Sequence, residues 1–184
     1  MASPYEVPVT ALLRTVPTTS RVEFVAPFDP LHEFEPRGPV ETDVDPDEPV
    51  RVEVTLQSFS GGVHVRGQLS TTWHGVCRRC GVVVREETSV PVKERYVEHP
   101  GPEDEEAYTF EHDILDLAPL VHELILLDLP LAPLCRPDCR GLCPVCGGDR
   151  NETDCDCAAP LDPRWATLDG LFADDLKSSL EGED

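Results

Sequence analysis

Between Val50 and Val92 apolar and polar residues alternate. Val50, Val52, Val54 and Leu56 interleave with Arg51, Glu53 and Thr55, a period of two that predicts a half-buried strand running on to Phe59. Ser60-Gly61-Gly62 is a turn signal. Val63, Val65, Gly67 and Leu69 then alternate with His64, Arg66 and Gln68, which predicts a returning strand toward Trp73. Cys77-Arg-Arg-Cys80-Gly81 makes the next reversal, and residues 82 to 92 return as a third strand that extends toward Val97. Upstream, Val22, Phe24 and Ala26 share one side of a shorter strand, Arg21 to Ala26. Residues 7 to 15 read as a strand leading into one helical turn, stopped at Pro17.

From Ile114 the period changes. Ile114, Leu117, Leu120, Val121, Leu124 and Ile125 fall at helical spacing. Asp113 is the predicted N-cap, Asp116 adds acid to the first turn, and Pro119 fits a helix that starts near Asp116 and ends near Leu127. Pro130 and Pro133 then force an extended segment that delivers the chain to Cys135. A final short helix opens at Asp162-Pro163, with Trp165, Leu168, Leu171 and Phe172 as its apolar face. Residues 27 to 49 read as a proline-broken loop ending in an acidic linker, and residues 99 to 106 as a mobile acidic loop.

These elements predict an α+β fold. Its core is an antiparallel β-meander, barrel-like, with one central helix, followed by a cysteine-rich zinc-binding segment and a short last helix. The expected organisation is an N-terminal β-segment with its linker over 1–49, the β core and helix over 50–134, and the zinc module over 135–184.

Cysteine usage changes the picture more than composition does. Six of the eight cysteines lie between Cys135 and Cys157, and Cys77 and Cys80 form a separate Cys-x-x-Cys. The N-terminus carries no basic start followed by an apolar run, so it does not read as a signal peptide. No apolar stretch approaches the about 18 residues that a bilayer span needs. The expected location is the cytoplasm, where clustered cysteines act as metal ligands more often than as disulfides.

A four-thiolate tetrahedron suits Zn²⁺, and iron is the other metal that such a set accepts. Cys77-Arg-Arg-Cys80-Gly81 and Cys143-Pro-Val-Cys146-Gly147 both have the form of a metal knuckle, in which the trailing glycine turns the backbone. The compact division puts Cys143, Cys146, Cys155 and Cys157 at one ion, and Cys77, Cys80, Cys135 and Cys139 at another. A single-zinc alternative joins Cys143 and Cys146 to two of the remaining C-terminal thiols and leaves Cys77 and Cys80 out. His74 is a reserve ligand. In the compact division the region from Cys135 onward clamps the extended segment against the first knuckle.

Redox work is the competing reading. A thioredoxin-type pair sits at a helix N-terminus, and neither knuckle here has that setting. Neither a phosphate-binding glycine loop nor a Ser-His-Asp order stands out. Trp73 and Trp165 are expected to pack in cores rather than stack on bases.

The net charge is −21, which repels phosphate backbones and attracts basic partners. Yet Arg78, Arg79, Arg85, Arg136, Arg140, Arg150 and Arg164, seven of only 15 Lys and Arg, lie in or near the cysteine clusters. They either balance thiolate charge or form a local basic face.

Several of these motifs together resemble the bacterial YceD family, the large ribosomal RNA subunit accumulation proteins. The motifs are the first knuckle, Asp113-Ile-Leu-Asp-Leu, Glu123-Leu-Ile-Leu-Leu-Asp-Leu-Pro130, Cys139-Arg-Gly-Leu-Cys-Pro-Val-Cys-Gly147 with Asn151, and Asp162-Pro-Arg-Trp-Ala-Thr-Leu168. The resemblance spans residues 50 to 172 and implies a non-enzymatic role in accumulating 23S ribosomal RNA. In many bacteria the family's gene precedes that of a small, basic large-subunit ribosomal protein. The implied partners are therefore the large-subunit precursor, its 23S RNA, or such a protein, with no membrane and no small-molecule substrate. Structural zinc, one or two ions, is the implied cofactor. Arg78, Arg79, Arg136, Arg140 and Arg150 are the candidate RNA contacts. A zinc-dependent or thiol-based enzyme is the alternative.

Overall fold

The computed structural model describes residues 3–29, 42–102, 104–158 and Arg164. The predicted last helix, with Trp165, lies outside the described residues. The chain divides into two compact units, Met1–Pro137 and Asp138–Asp184.

The first unit is built on the predicted meander. Strand β4 (Pro49–Phe59) pairs with β5 (Gly62–Val76), and β5 with β6 (Val83–Val97), all antiparallel. Strand β2 (Thr19–Pro27) adds to the other edge of β4 along its whole length. The burial of β4 alternates strictly, because Val50, Val52, Val54, Leu56 and Ser58 turn inward while Arg51, Glu53, Thr55 and Gln57 face water. Fully burying each such Val or Leu is worth about 1.5–3 kcal/mol. A one-residue slip would expose the whole set, so register is strongly specified.

Gly67 belongs to the same register. A Cβ there would stand 2.0 Å from the carbonyl oxygen of Glu53, so β4 crosses β5 more closely than any side chain at this position would permit.

Four features depart from the sequence expectation. The sheet does not close into a barrel. Among the described residues its order is β2-β4-β5-β6-β7, with β7 (Tyr108–Thr109) parallel to the end of β6. Its inner face is covered instead by α2 (Ala118–Asp128), which buries Leu120, Val121 and Ile125, and by the N-terminal segment through Tyr5, Val9 and Leu12. Secondly, the acidic linker is not wholly a loop. Strand β3 (Thr42–Asp43) takes the edge of β5 beyond the reach of β4, held by the buried Thr42, whose hydroxyl donates to the Pro130 carbonyl at 3.0 Å.

Thirdly, residues Ile114–Asp116 are not helix but strand β8, paired with β1 (Glu6–Pro8). Asp113 has a φ of 57° and cannot cap a helix from there. The helix begins at Ala118, so Asp116 precedes its first turn instead of adding acid to it, and its carboxylate accepts from the Ala118 amide at 3.0 Å; Pro119 lies in the first turn, as expected. The predicted N-terminal turn is α1 (Thr10–Leu13), so the described residues hold two helices.

The acidic loop after β6 is also pinned. Asp104 accepts from the Gly101 amide at 2.9 Å and pairs with Arg95 at 2.5 Å. A local hydrogen-bonding carboxylate of this kind holds a turn that composition alone marks as loose. Trp73 is buried, as expected.

In the second unit the backbone is held by short-range bonds. Leu142 and Asp149 form an antiparallel bridge, and the Arg150 amide donates to the Gly141 carbonyl at 3.0 Å.

Candidate metal centres

The two knuckles share one backbone design. In the first, the Cys77 amide donates to the Val82 carbonyl at 2.8 Å and the Gly81 amide to the Cys77 carbonyl at 2.9 Å. In the second, the Cys143 amide donates to the Gly148 carbonyl at 2.8 Å and the Gly147 amide to the Cys143 carbonyl at 2.9 Å. Gly81 and Gly147 have φ of 75° and 72°, the left-handed turn that the trailing glycine was expected to provide.

The sulfurs gather into two groups of four. Cys77, Cys80, Cys135 and Cys139 form one, and Cys143, Cys146, Cys155 and Cys157 the other. Within each group the sulfur atoms lie within 4.8 Å of one another. Cys80 Sγ and Cys135 Sγ are 3.6 Å apart. That is far beyond the about 2.05 Å of a disulfide. It is close to the about 3.8 Å edge of a tetrahedron with metal–sulfur bonds of about 2.3 Å. Both groups could therefore hold a metal ion of the thiolate-seeking kind. The division is the compact one, and it does not leave Cys77 and Cys80 out. Even the alternating Cys155 and Cys157 bring both sulfurs to one point.

The surroundings favour the thiolate at Cys77 and Cys143 and the thiol at Cys155 and Cys157. The Cys77 thiol is lowered to about 6, chiefly by the backbone amide of Cys135, against the opposing effect of burial and with help from the Cys80 and Arg79 amides. Cys143 is likewise lowered to about 6 by the amides of Cys146 and Val145 and by Cys155. Cys157 is pushed up to about 12, first by its hydrogen bond to Cys146, with burial adding to it. Within one group some sulfurs are thus ready anions and others keep a proton, which a divalent cation would displace.

Asn151 supports the C-terminal cysteines. Its side-chain amide donates to Cys139 Sγ at 3.5 Å, and its carbonyl oxygen accepts from the Arg140 amide at 2.8 Å. Sequence reading singled out Asn151 only within a motif; its contact with sulfur needed the fold.

His74 does not join the sulfurs. It stands on β5 opposite Arg85, with its ring 3.8 Å from Asp45. Arg85 also leaves the cysteine region, pairing with Glu48 at 2.5 Å. Arg140 is ion-paired with Asp154, whose carboxyl it holds below the usual range. Arg78, Arg79, Arg136 and Arg150 are exposed. Among the described residues no helix is long and apolar enough to cross a membrane.

Residues 65–172 match the profile of a family described as large ribosomal RNA subunit accumulation protein YceD. This chain belongs to the YceD family. An uncharacterised protein of Mycobacterium tuberculosis strain H37Rv is 32% identical over 144 residues, 72% of this chain and 66% of the relative. The chain thus spans slightly less than two thirds of that relative's length. An uncharacterised protein of Mycobacterium leprae is 27% identical over 141 residues, 72% of this chain and 64% of the relative. The uncharacterised protein YlbN of Bacillus subtilis is 28% identical over 155 residues, 82% of this chain and 90% of the relative. No solved structure matches. The family's description is ribosome-related, and the matched span contains both cysteine groups.

Proposed function

We propose that this chain is a non-enzymatic, cytoplasmic biogenesis factor of the large ribosomal subunit. It promotes accumulation of 23S ribosomal RNA by binding the subunit precursor through its RNA. The observation that carries this reading is the match of residues 65–172 to the YceD profile. The eight cysteines hold two structural zinc ions, which keep the meander and the C-terminal segments in shape. Arg78, Arg79, Arg136, Arg140 and Arg150 are candidate RNA contacts, although Arg140 already has Asp154 as partner.

Zinc, when bound, would supply charge balance and cross-linking; four thiolates around it leave no open position for a substrate. A second reading is favoured by the net charge of −21: the acidic surface captures a basic large-subunit ribosomal protein, and the effect on RNA is indirect.

Depletion in cells, with 23S RNA and large-subunit precursors measured, tests the role. A fall in 23S RNA relative to 16S RNA is expected. Unchanged levels would remove the reading. Affinity purification that returns a basic ribosomal protein from RNase-treated extract would select the second mechanism. Two zinc ions per chain and thiols slow to alkylate are expected; fast alkylation of Cys77 and Cys80 in metal-loaded protein would favour the thiol-enzyme alternative.

A further inference from the structure

The solvent face of the β2-β4-β5-β6 sheet carries cations that sequence distance conceals. One cross-strand row reads Arg21, Thr55, Arg66, Lys93, and the next reads Thr19, Gln57, His64, Arg95. Neither row contains a carboxylate. With Arg51 and Arg85, the face holds six of the chain's 15 Lys and Arg. The carboxylates of the next row are Glu23 and Glu53.

Not all of this charge is available. Arg21 pairs with Glu23, and Arg95 with Asp104. Arg66 and Lys93, however, stand directly opposite each other on neighbouring strands, and both are exposed. Like charges in that relation destabilise a sheet. Beside them is a cavity of about 480 Å³ lined by His64, Arg66, Lys93 and Arg95, with the carboxylates of Glu94, Glu105 and Glu106 also on its wall. His64 lies tilted against Phe59, with ring centroids 4.6 Å apart, so an aromatic pair borders the cations.

We propose that this sheet face, centred on Arg66 and Lys93, docks single-stranded RNA, the two cations taking phosphates and the Phe59–His64 pair a base. Charge complementarity argues for this occupant, and a cationic strip beside aromatic rings is the arrangement that such strands use. The net charge of −21 does not forbid it. At physiological salt the screening length is about 8 Å, so a phosphate on this face feels the charges of this face, Arg66 and Lys93 with the nearby carboxylates, more than the acid elsewhere on the chain. The inference rests on the RNA reading of the proposed function and moves the principal contact away from the knuckle arginines.

The full-length zinc-loaded protein is titrated with a labelled mixed-sequence RNA 20-mer across a salt series. R66Q/K93Q is expected to weaken binding at least ten-fold. It should also flatten the dependence of log K on log salt by about 0.7 per lost phosphate contact. The exchange R66K/K93R keeps both charges and should restore binding, which a merely structural role would not require. Affinity of R66Q/K93Q within two-fold of the parent would overturn the proposal. So would a parent that binds no RNA, and if depletion still lowered 23S RNA the biogenesis role would stand without this surface. RNA binding through Arg66 and Lys93 with unchanged 23S RNA on depletion would support the surface and remove the role.

Discussion

Cys80 Sγ lies 3.6 Å from Cys135 Sγ, across 55 residues of chain. Between them come the whole of β6, the short strands β7 and β8, and α2. The Arg78 amide donates to the Pro133 carbonyl at 3.0 Å, so the knuckle also meets the extended segment through its backbone. A bound ion at this point joins the tip of the β5–β6 hairpin to the segment that leaves the helix.

Metal loss follows from that junction. Cys135→Ser is expected to reduce bound zinc from two ions per chain to one, measured by elemental analysis after gel filtration. Chelation of the parent should lower the unfolding temperature, because metal binding is folding free energy here. Full retention of two ions in the variant would show that Cys135 is not a ligand.

Asn151 should matter without touching metal. Groups that hydrogen-bond a metal ligand typically change metal affinity about 10–100-fold when removed. Asn151→Ala is expected to weaken zinc retention by that range in competition with a chromophoric chelator, while the stoichiometry at saturation stays unchanged.

Gly67→Ala tests the close crossing of β4 and β5. The added Cβ would meet the Glu53 carbonyl oxygen at 2.0 Å, and backbone cannot swing aside as a side chain can. A loss of at least about 1–3 kcal/mol is expected in denaturant unfolding. Gly61→Ala meets no atom within 4 Å, but its φ of 93° still makes it costly through strain rather than clash.

The opposed cations predict a gain. Arg66→Gln removes a like-charge pair and should stabilise the fold by about 0.2–1 kcal/mol at low salt. The gain should shrink at 0.5 M salt, where screening replaces the mutation's effect. A variant less stable than the parent at low salt would mean that Arg66 has a stabilising partner.

His64 gives a pH signature. Burial, then Arg66 and Arg95, lower its pKa below the ordinary 6.5. The unfolded chain therefore binds this proton more readily than the folded one. The penalty is absent well above 6.5, grows as pH falls through 6.5, and is complete below the folded value. His64→Gln should remove that part of the acid destabilisation, measured as the difference in unfolding temperature between pH 7.5 and pH 5.5.

The strands from Arg21 to Val97 and both knuckles were legible in the chain, because alternation, turn glycines and Cys-x-x-Cys act within a few residues. The register was nearly legible as well. The turn at Ser60 to Gly62 places Phe59 opposite Gly62, and counting outward puts Thr55 opposite Arg66. The knuckle does the same for Val76 and Val83, which ten pairs further on sets Arg66 against Lys93. Only the tertiary structure could turn Ile114–Asp116 from the helical period to a strand, since its partner β1 lies more than a hundred residues upstream. Only it could decide the open sheet over a barrel, because closure depends on what covers the inner face. The grouping of four sulfurs from Cys77 to Cys139 was one of several divisions that spacing allowed. Local pattern determines which faces are apolar and where the chain turns. Which distant faces and sulfurs meet is decided by the packing of the whole unit, where burial and pairing are satisfied together.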